Sequence, residues 1–203
     1  MKNMLKDTSI LFVITLVAGL FLGVVYEITK DPIAQQQEKA RQEAFRAVFE
    51  EASDFEEIEL TQTDADTVLE NAGISGVTMN EAVKAIGSDG SLLGYCVTVT
   101  SHEGYGGDIK LTVGIKKDGT LNGISFLTIA ETPGLGMKAG EVLAPQFVDK
   151  NADHFEYTKT GATLDNQIDA ISGATITTEA VTDAVNASLE IFRTMLVGGD
   201  GNE

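Results

Sequence analysis

IKLTVGIKKDGTLNGISFLTI, residues 109–129, holds two runs rich in β-branched and aromatic residues, Ile109 to Ile115 and Leu121 to Ile129, which read as strands. Between them Lys117-Asp118-Gly119-Thr120 supplies the Asp-Gly pair of a tight hairpin, where glycine accepts positive φ. Upstream, Leu92 to Thr100 (LLGYCVTVT) reads as a third strand, so an antiparallel sheet stands at the centre of the chain. Downstream, a short helix is expected within 138–150. A longer one is expected over 177–196, its apolar face formed by Val181, Ala184, Val185, Ile191, Phe192 and Met195. The fold class is therefore α+β. Residues 53–90 are weakly patterned and carry only short elements, and the tail GGDGNE reads as disordered.

The N-terminal end is of a different kind. From Thr8 to Tyr26, TSILFVITLVAGLFLGVVY has no charge between Asp7 and Glu27, and nineteen residues at a rise of about 1.5 Å cross a hydrocarbon layer of roughly 30 Å. A cleaved signal peptide has a shorter apolar core followed by a small-x-small site, where this chain has Tyr26, Glu27 and Ile28, so an uncleaved transmembrane anchor is expected. No cysteine follows the apolar run to take a lipid. Lys2 and Lys6 precede the span while Lys30, Lys39 and Arg41 follow it, so counting positive charges does not orient it. Asp31-Pro32 has the form of a helix start, and apolar residues then recur with helical period from Ile33 to Ala52, which suggests a stalk.

Charge and composition exclude several functions. The 203 residues include 31 acidic and 14 basic side chains, a net charge of -17. The first thirty carry +1, from Lys2, Lys6 and Lys30 against Asp7 and Glu27, which leaves -18 on the rest. Such a surface repels phosphate backbones, so no nucleic-acid partner is expected. With Cys96 as its single cysteine, the chain can form no internal disulfide, CxxC redox pair, multi-thiolate zinc site, iron-sulfur cluster or c-type haem attachment. With only two histidines, His102 and His154, no His-based catalytic metal site is expected. Both sit in polar surroundings and read as solvent-facing, and Cys96 reads as a small core residue. A redox role would call for an organic cofactor.

Three glycine-bearing loops carry the remaining signal. Gly104-Tyr105-Gly106-Gly107-Asp108 lies between two strands and either brings backbone close to a flat ligand or forms a plain long hairpin. Tyr105 either stacks on that ligand or packs on its own hairpin. Glu131-Thr132-Pro133-Gly134-Leu135-Gly136 follows a strand and is either a rigid turn or a set of polar contacts. Asp169-Ala170-Ile171-Ser172-Gly173-Ala174-Thr175 feeds the long helix. It either presents free N–H groups and the positive end of the helix dipole to a phosphate, or is an ordinary connection with Thr177 or Thr178 as the cap.

Ser172-Gly173-Ala174-Thr175 with Asp169 upstream resembles the flavinylation motif D-x-x-S-G-A-T. In that motif a separate flavin transferase esterifies the final threonine to the phosphate of FMN. Together with GYGG, the Asp-Gly hairpin and ETPGLG in this order, and with the anchor and the ITKDPI stretch, the chain is similar over nearly its whole length to the G subunit of the Rnf complex. That complex is an ion-translocating ferredoxin:NAD oxidoreductase. The domain of the C subunit of sodium-pumping NADH:quinone reductase is similar too, and the length and lack of large insertions favour the Rnf protein. Ala130 departs from the polar residue found before ETPGLG in some relatives.

The resemblance implies an electron-transfer subunit that is not active alone, with covalent FMN on Thr175 and other membrane subunits of the complex as partners. Ser172, Gly173 and Ala174 would surround the phosphate. Glu131, Thr132, Gly134 and Leu135 would flank the ring, joined by Gly106 and Gly107, and Asp169 would either be recognised by the transferase or cap its turn. The implied organisation is a cytoplasmic N-terminus at 1–7, an anchor at 8–26 in the lipid bilayer, a helical stalk at 27–53, an extracytoplasmic FMN-binding domain at 54–197 and the tail at 198–203. Thr160-Gly161-Ala162-Thr163 imitates the motif, but Tyr157 stands where it needs Asp and no helix start follows Thr163, so Thr163 is rejected as the attachment site.

Overall fold

The computed structural model describes residues 2–197, and side chains from residue 6 onward; the tail at 198–203 and Met1 lie outside the described residues. The first helix, α1 (Lys2–Val48), runs unbroken through Pro32, so no new helix starts at Asp31-Pro32. Its apolar stretch has a mean hydropathy of 2.5, and none of it is buried, so α1 is long and apolar enough to cross a membrane. The described residues up to Arg41 form one compact unit and those from Gln42 onward another.

The second unit is built on a five-stranded antiparallel meander of β1 (Ala52–Ile58), β2 (Val77–Gly87), β3 (Leu92–Ser101), β4 (Ile109–Lys116) and β5 (Leu121–Thr128), in that spatial order. The three strands expected from the sequence lie within two residues of their expected ends. Hairpin 116–121 closes with the Gly119 N–H donating to the Lys116 carbonyl at 2.9 Å and Gly119 at φ 84°. α2 (Gln62–Asn71) connects β1 to β2. Short helices α3 (Ala139–Val142) and α4 (Ala144–Phe147) follow β5, and a small parallel pair, β6 (Glu156–Thr158) with β7 (Gln167–Asp169), precedes the long α5 (Thr175–Ile191).

The continuous apolar run of β3 has a structural reason: both faces of the sheet are covered at its centre. One face carries the main core, where Val97, Val99, Leu111 and Val113 meet Val181, Ala184 and Val185 of α5. The other carries a smaller core in which Phe45, Val48 and Phe49, at and just beyond the end of α1, pack with Val83, Ala85 and Cys96. Gly114 makes that second layer possible, because a Cβ there would stand 2.8 Å from the Val48 side chain. At mid-sheet, Thr98 and Thr112 are register partners on β3 and β4, and their buried hydroxyls pair at 2.9 Å.

The meander directs the two glycine loops to one place. β3 ends and β4 begins at the same end of the sheet where β5 ends, so loop 102–108 and loop 129–135 are neighbours there, opposite the Asp-Gly hairpin.

Candidate functional site

Glu131 joins the two loops. Its side chain is buried, at 7% exposure, and its Oε1 accepts the backbone N–H of Tyr105 at 2.8 Å. Gly106 sits against the backbone of the second loop, where a Cβ would be 2.0 Å from the Ala130 carbonyl oxygen. Ala130 therefore contributes main chain at this point, whatever its side chain. Gly136 is enclosed as well, since a Cβ there would meet Thr177 Oγ1 at 2.6 Å and Glu131 Oε2 at 2.9 Å. Leu135 has φ -118° and ψ -105°, and its N–H donates to the Thr132 carbonyl, which turns its half-exposed side chain outward.

The third loop completes the enclosure. β7 ends at Asp169 and α5 begins at Thr175, two residues earlier than the sequence suggests. Neither Thr177 nor Thr178 caps the helix, for both lie inside it. The cap position falls to Ala174, which has no side-chain acceptor to offer. The first intrahelical bond runs from the Thr178 N–H to the Ala174 carbonyl at 3.0 Å, so the amides of Thr175, Ile176 and Thr177 precede it.

Together these elements bound a cavity of about 490 Å³, within the range of roughly 300–1,000 Å³ usual for small-molecule sites. It is lined by Tyr105, Glu131, Thr132, Leu135, Gly173, Ala174 and Thr175, all singled out in the sequence as possible ligand contacts, and by Gly136, Ile176 and Thr177, which were not expected to meet a ligand. Gly106, Gly107, Gly134 and Ser172 lie in the same loops without lining the cavity. Asp169 lies away from the lining: its Oδ1 accepts the Ala162 N–H at 2.5 Å, which ties down the 160–163 loop. Thr163 belongs to that loop and leads into β7, not into a helix. Tyr105 is 71% exposed, so it faces the cavity and solvent and is not packed down on its hairpin.

The walls differ in chemistry. Tyr105, Leu135 and Ile176 present exposed or half-exposed apolar surface, as a flat aromatic ligand requires, while Thr175 and Thr177 belong to the first turn of the uncapped helix. A helix N-terminus of this kind favours an anionic group. Among the described residues no group of three or more His, Cys, Asp or Glu side chains could hold a metal ion. The lining thus combines apolar side chains with an uncapped helix start, a set that fits a ligand carrying both a flat ring and a phosphate.

The FMN-binding domain family matches residues 104–190, a span that contains all three loops, and the RnfG N-terminal region family matches residues 1–48. The G subunit of the Na+-translocating ferredoxin:NAD+ oxidoreductase complex of Acetobacterium woodii is 33% identical over 196 residues, which cover 96% of this chain and 94% of that one. The chain belongs to the Rnf G-subunit family. In that family, the G subunit of the ion-translocating oxidoreductase complex of Methanosarcina acetivorans is 31% identical over 93% of this chain and 94% of its own. The G subunit of the proton-translocating ferredoxin:NAD+ oxidoreductase complex of Clostridium ljungdahlii is 30% identical over 95% and 97%. The crystal structure of Shewanella oneidensis NqrC superposes with a TM-score of 0.47 and 23% identity over 56% of this chain and 58% of that one. The match to the FMN-binding domain family thus spans all three loops around the cavity, and α1 is the candidate membrane helix of this member of the family.

Proposed function

We propose that this chain is the membrane-anchored electron-transfer subunit of an ion-translocating ferredoxin:NAD oxidoreductase complex, and that it carries FMN through a phosphoester on Thr175. The observation that carries this reading is the position of Thr175: it is the first residue of α5, half-buried on the cavity wall, beside amides that no side chain caps. A phosphate esterified there sits at the positive end of the helix dipole. The ring end then falls to Tyr105, Leu135 and Ile176, and the buried Glu131 carboxylate lies next to it with one oxygen held by the Tyr105 amide. Ser172, Gly173 and Ala174 hold the backbone close to the phosphate, Thr132 and Gly134 shape the ring side, and Gly106 and Gly107 allow the first loop to approach. Bound FMN supplies one- and two-electron chemistry; the protein supplies position and electrostatics.

A covalent tether suits a domain on the extracytoplasmic side, where no flavin pool would replace a lost cofactor, and we place residues 54–197 there with 1–7 in the cytoplasm. The partners are the other membrane subunits of the complex, the lipid bilayer around α1, and a flavin transferase during maturation.

Co-expression of the full chain with a flavin transferase tests the reading. The denatured protein should run as a fluorescent band, the peptide containing Thr175 should gain the mass of an FMN adduct, Thr175→Ala should lose both, and Thr163→Ala should keep both. An unmodified Thr175 peptide from maturation-competent cells overturns the reading. Protease added to intact spheroplasts should degrade the domain if it faces outward.

A further inference from the structure

The loop that presents Thr175 is braced from two sides by residues outside the motif. On the inner side stands Thr178, fully buried in the first turn of α5. Its Oγ1 accepts the Ile171 N–H at 3.1 Å and donates to the Ala174 carbonyl at 2.9 Å. One hydroxyl thus spans the turn, which the Ala174 N–H also closes onto the Ile171 carbonyl at 2.9 Å. Donation to the carbonyl four residues back is ordinary for a helical threonine, and buried Thr182 makes the same bond to Thr178 at 2.8 Å. The bond from Ile171 is the one that reaches outside the helix.

On the outer side Gln146, at the end of α4, grips both polar atoms of the Asp169 backbone. Its Oε1 accepts the Asp169 N–H at 2.7 Å and its Nε2 donates to the Asp169 carbonyl at 3.2 Å. Within the loop from Ala170 to Ala174 only Ser172 and Gly173 stand exposed, with Gly173 at φ 78°. A loop of such small residues is flexible unless it is held, and an acceptor hydroxyl on a wandering loop reacts slowly.

We infer that Thr178 and Gln146 are positioning residues for flavin attachment: they hold the Ile171–Ala174 turn so that the Thr175 hydroxyl meets the transferase in one preset geometry. The inference rests on Thr175 being the acceptor. In the step it serves, the bond from Thr175 Oγ1 to phosphorus forms and the bond from that phosphorus to the leaving phosphate of a pyrophosphate-activated FMN donor breaks. The hydroxyl proton passes to the transferase or to solvent, and nothing is oxidised or reduced.

The test is the rate of flavin incorporation into the detergent-solubilised full chain, with purified transferase and donor, over a range of chain concentrations. Thr178→Val keeps the shape and removes the hydroxyl, and it should lower the saturating rate by roughly tenfold or more with little change in KM. Thr178→Ser should restore most of the rate. Thr182→Val, which deletes a buried back-bond and nothing else, should behave as wild type, and Gln146→Leu should fall several-fold. In the unmodified protein the Ile171 amide should exchange hydrogen faster in Thr178→Val than in Thr182→Val.

A folded Thr178→Val chain modified at the wild-type rate, or an equal slowing by Thr182→Val, overturns the inference while leaving Thr175 as the acceptor. If Thr178→Val does not fold, the Gln146→Leu and Thr178→Ser rates decide: a wild-type rate in Gln146→Leu, or a Thr178→Ser rate as low as that of Thr175→Ala, overturns it. Modification that persists in Thr175→Ala, or none in the wild type, removes the acceptor reading and this inference with it.

Discussion

The Glu131 carboxylate holds the backbone N–H of Tyr105 at 2.8 Å across a separation of twenty-six residues, and so fastens the loop after β3 to the loop after β5. Because the carboxylate is buried and the bond part-buried, deleting it leaves the Tyr105 N–H without its protein partner and the two loops without their tie. Glu131→Ala should therefore cost about 1–3 kcal/mol of stability, whereas Glu131→Gln, which keeps an oxygen acceptor, should recover most of that. Urea unfolding of both variants measures the difference. Equal stability for the two would mean that the bond between the loops contributes nothing.

The glycines of the two loops should separate by mechanism. At Gly134 nothing lies within 4 Å of an added Cβ, but φ is 79°, so Gly134→Ala should cost only the left-handed backbone term, about 1–2 kcal/mol. At Gly106 the obstacle is a main-chain carbonyl 2.0 Å away, which no rotamer change can move. Gly106→Ala should be the worse of the pair, near the upper end of overpacking costs at about 3 kcal/mol, and should open the cavity by parting the loops. Thermal melts that rank the two the other way would refute the close approach at Gly106.

Much of the fold was legible because its central strands carry unbroken runs of β-formers. Leu92 to Thr100 and Ile109 to Ile115 differ from β3 and β4 by one residue at one end. β2 was not legible: register shifts at Met79/Glu81 and Ala85/Ile86 break the alternation of buried and exposed residues that marks a strand. Nor were β6 and β7, three residues each. Asn186 of α5 fixes the chain just before β6, taking the Phe155 N–H on Oδ1 and donating from Nδ2 to the Phe155 carbonyl.

The start of α5 was misplaced because threonine is a favoured cap. Here the hydroxyl of Thr178 turns back to Ile171 and Ala174, and the cap position is left to an alanine. The motif loops pointed to Glu131, Thr132, Leu135 and Thr175, but Ile176 and Thr177 lie beyond the motif and reach the cavity through the geometry of the first turn of α5. The grip of Gln146 on Asp169 has no local signal at all.

Cys96 should be inert in the folded protein. It is fully buried between β2 and β4 on the side of Phe45 and Phe49, and burial above all, with the Glu81 charge second, pushes its thiol well above the ordinary range. The thiolate that reacts with disulfide reagents is then scarce as well as inaccessible. Ellman's reagent should give no signal at neutral pH until denaturant is added, and then one thiol per chain. Rapid reaction in the native state would show that the layer formed by the end of α1 does not cover the sheet.

Asp183 on α5 titrates against the fold. Its carboxyl is raised above the ordinary value of 3.8, first by burial and then by the Glu179 and Glu103 charges, with His154 acting in the opposite direction. The folded chain therefore binds this proton more tightly than the unfolded chain. Between 3.8 and the raised folded value the native state carries more protons, so the contribution of Asp183 to stability falls as pH rises through that window. At neutral pH the ionised form is a net cost, and below 3.8 both states are protonated and the cost is gone. Asp183→Asn, which is neutral at every pH, should melt at a higher temperature than wild type at pH 7, with the advantage shrinking as the solution is acidified. Added salt should narrow the gap only in part, since screening weakens the repulsion from Glu179 and Glu103 but leaves the burial cost. Thermal unfolding from pH 3 to pH 8 follows the difference, and an advantage that does not change with pH would show that the carboxylate charge is not its source.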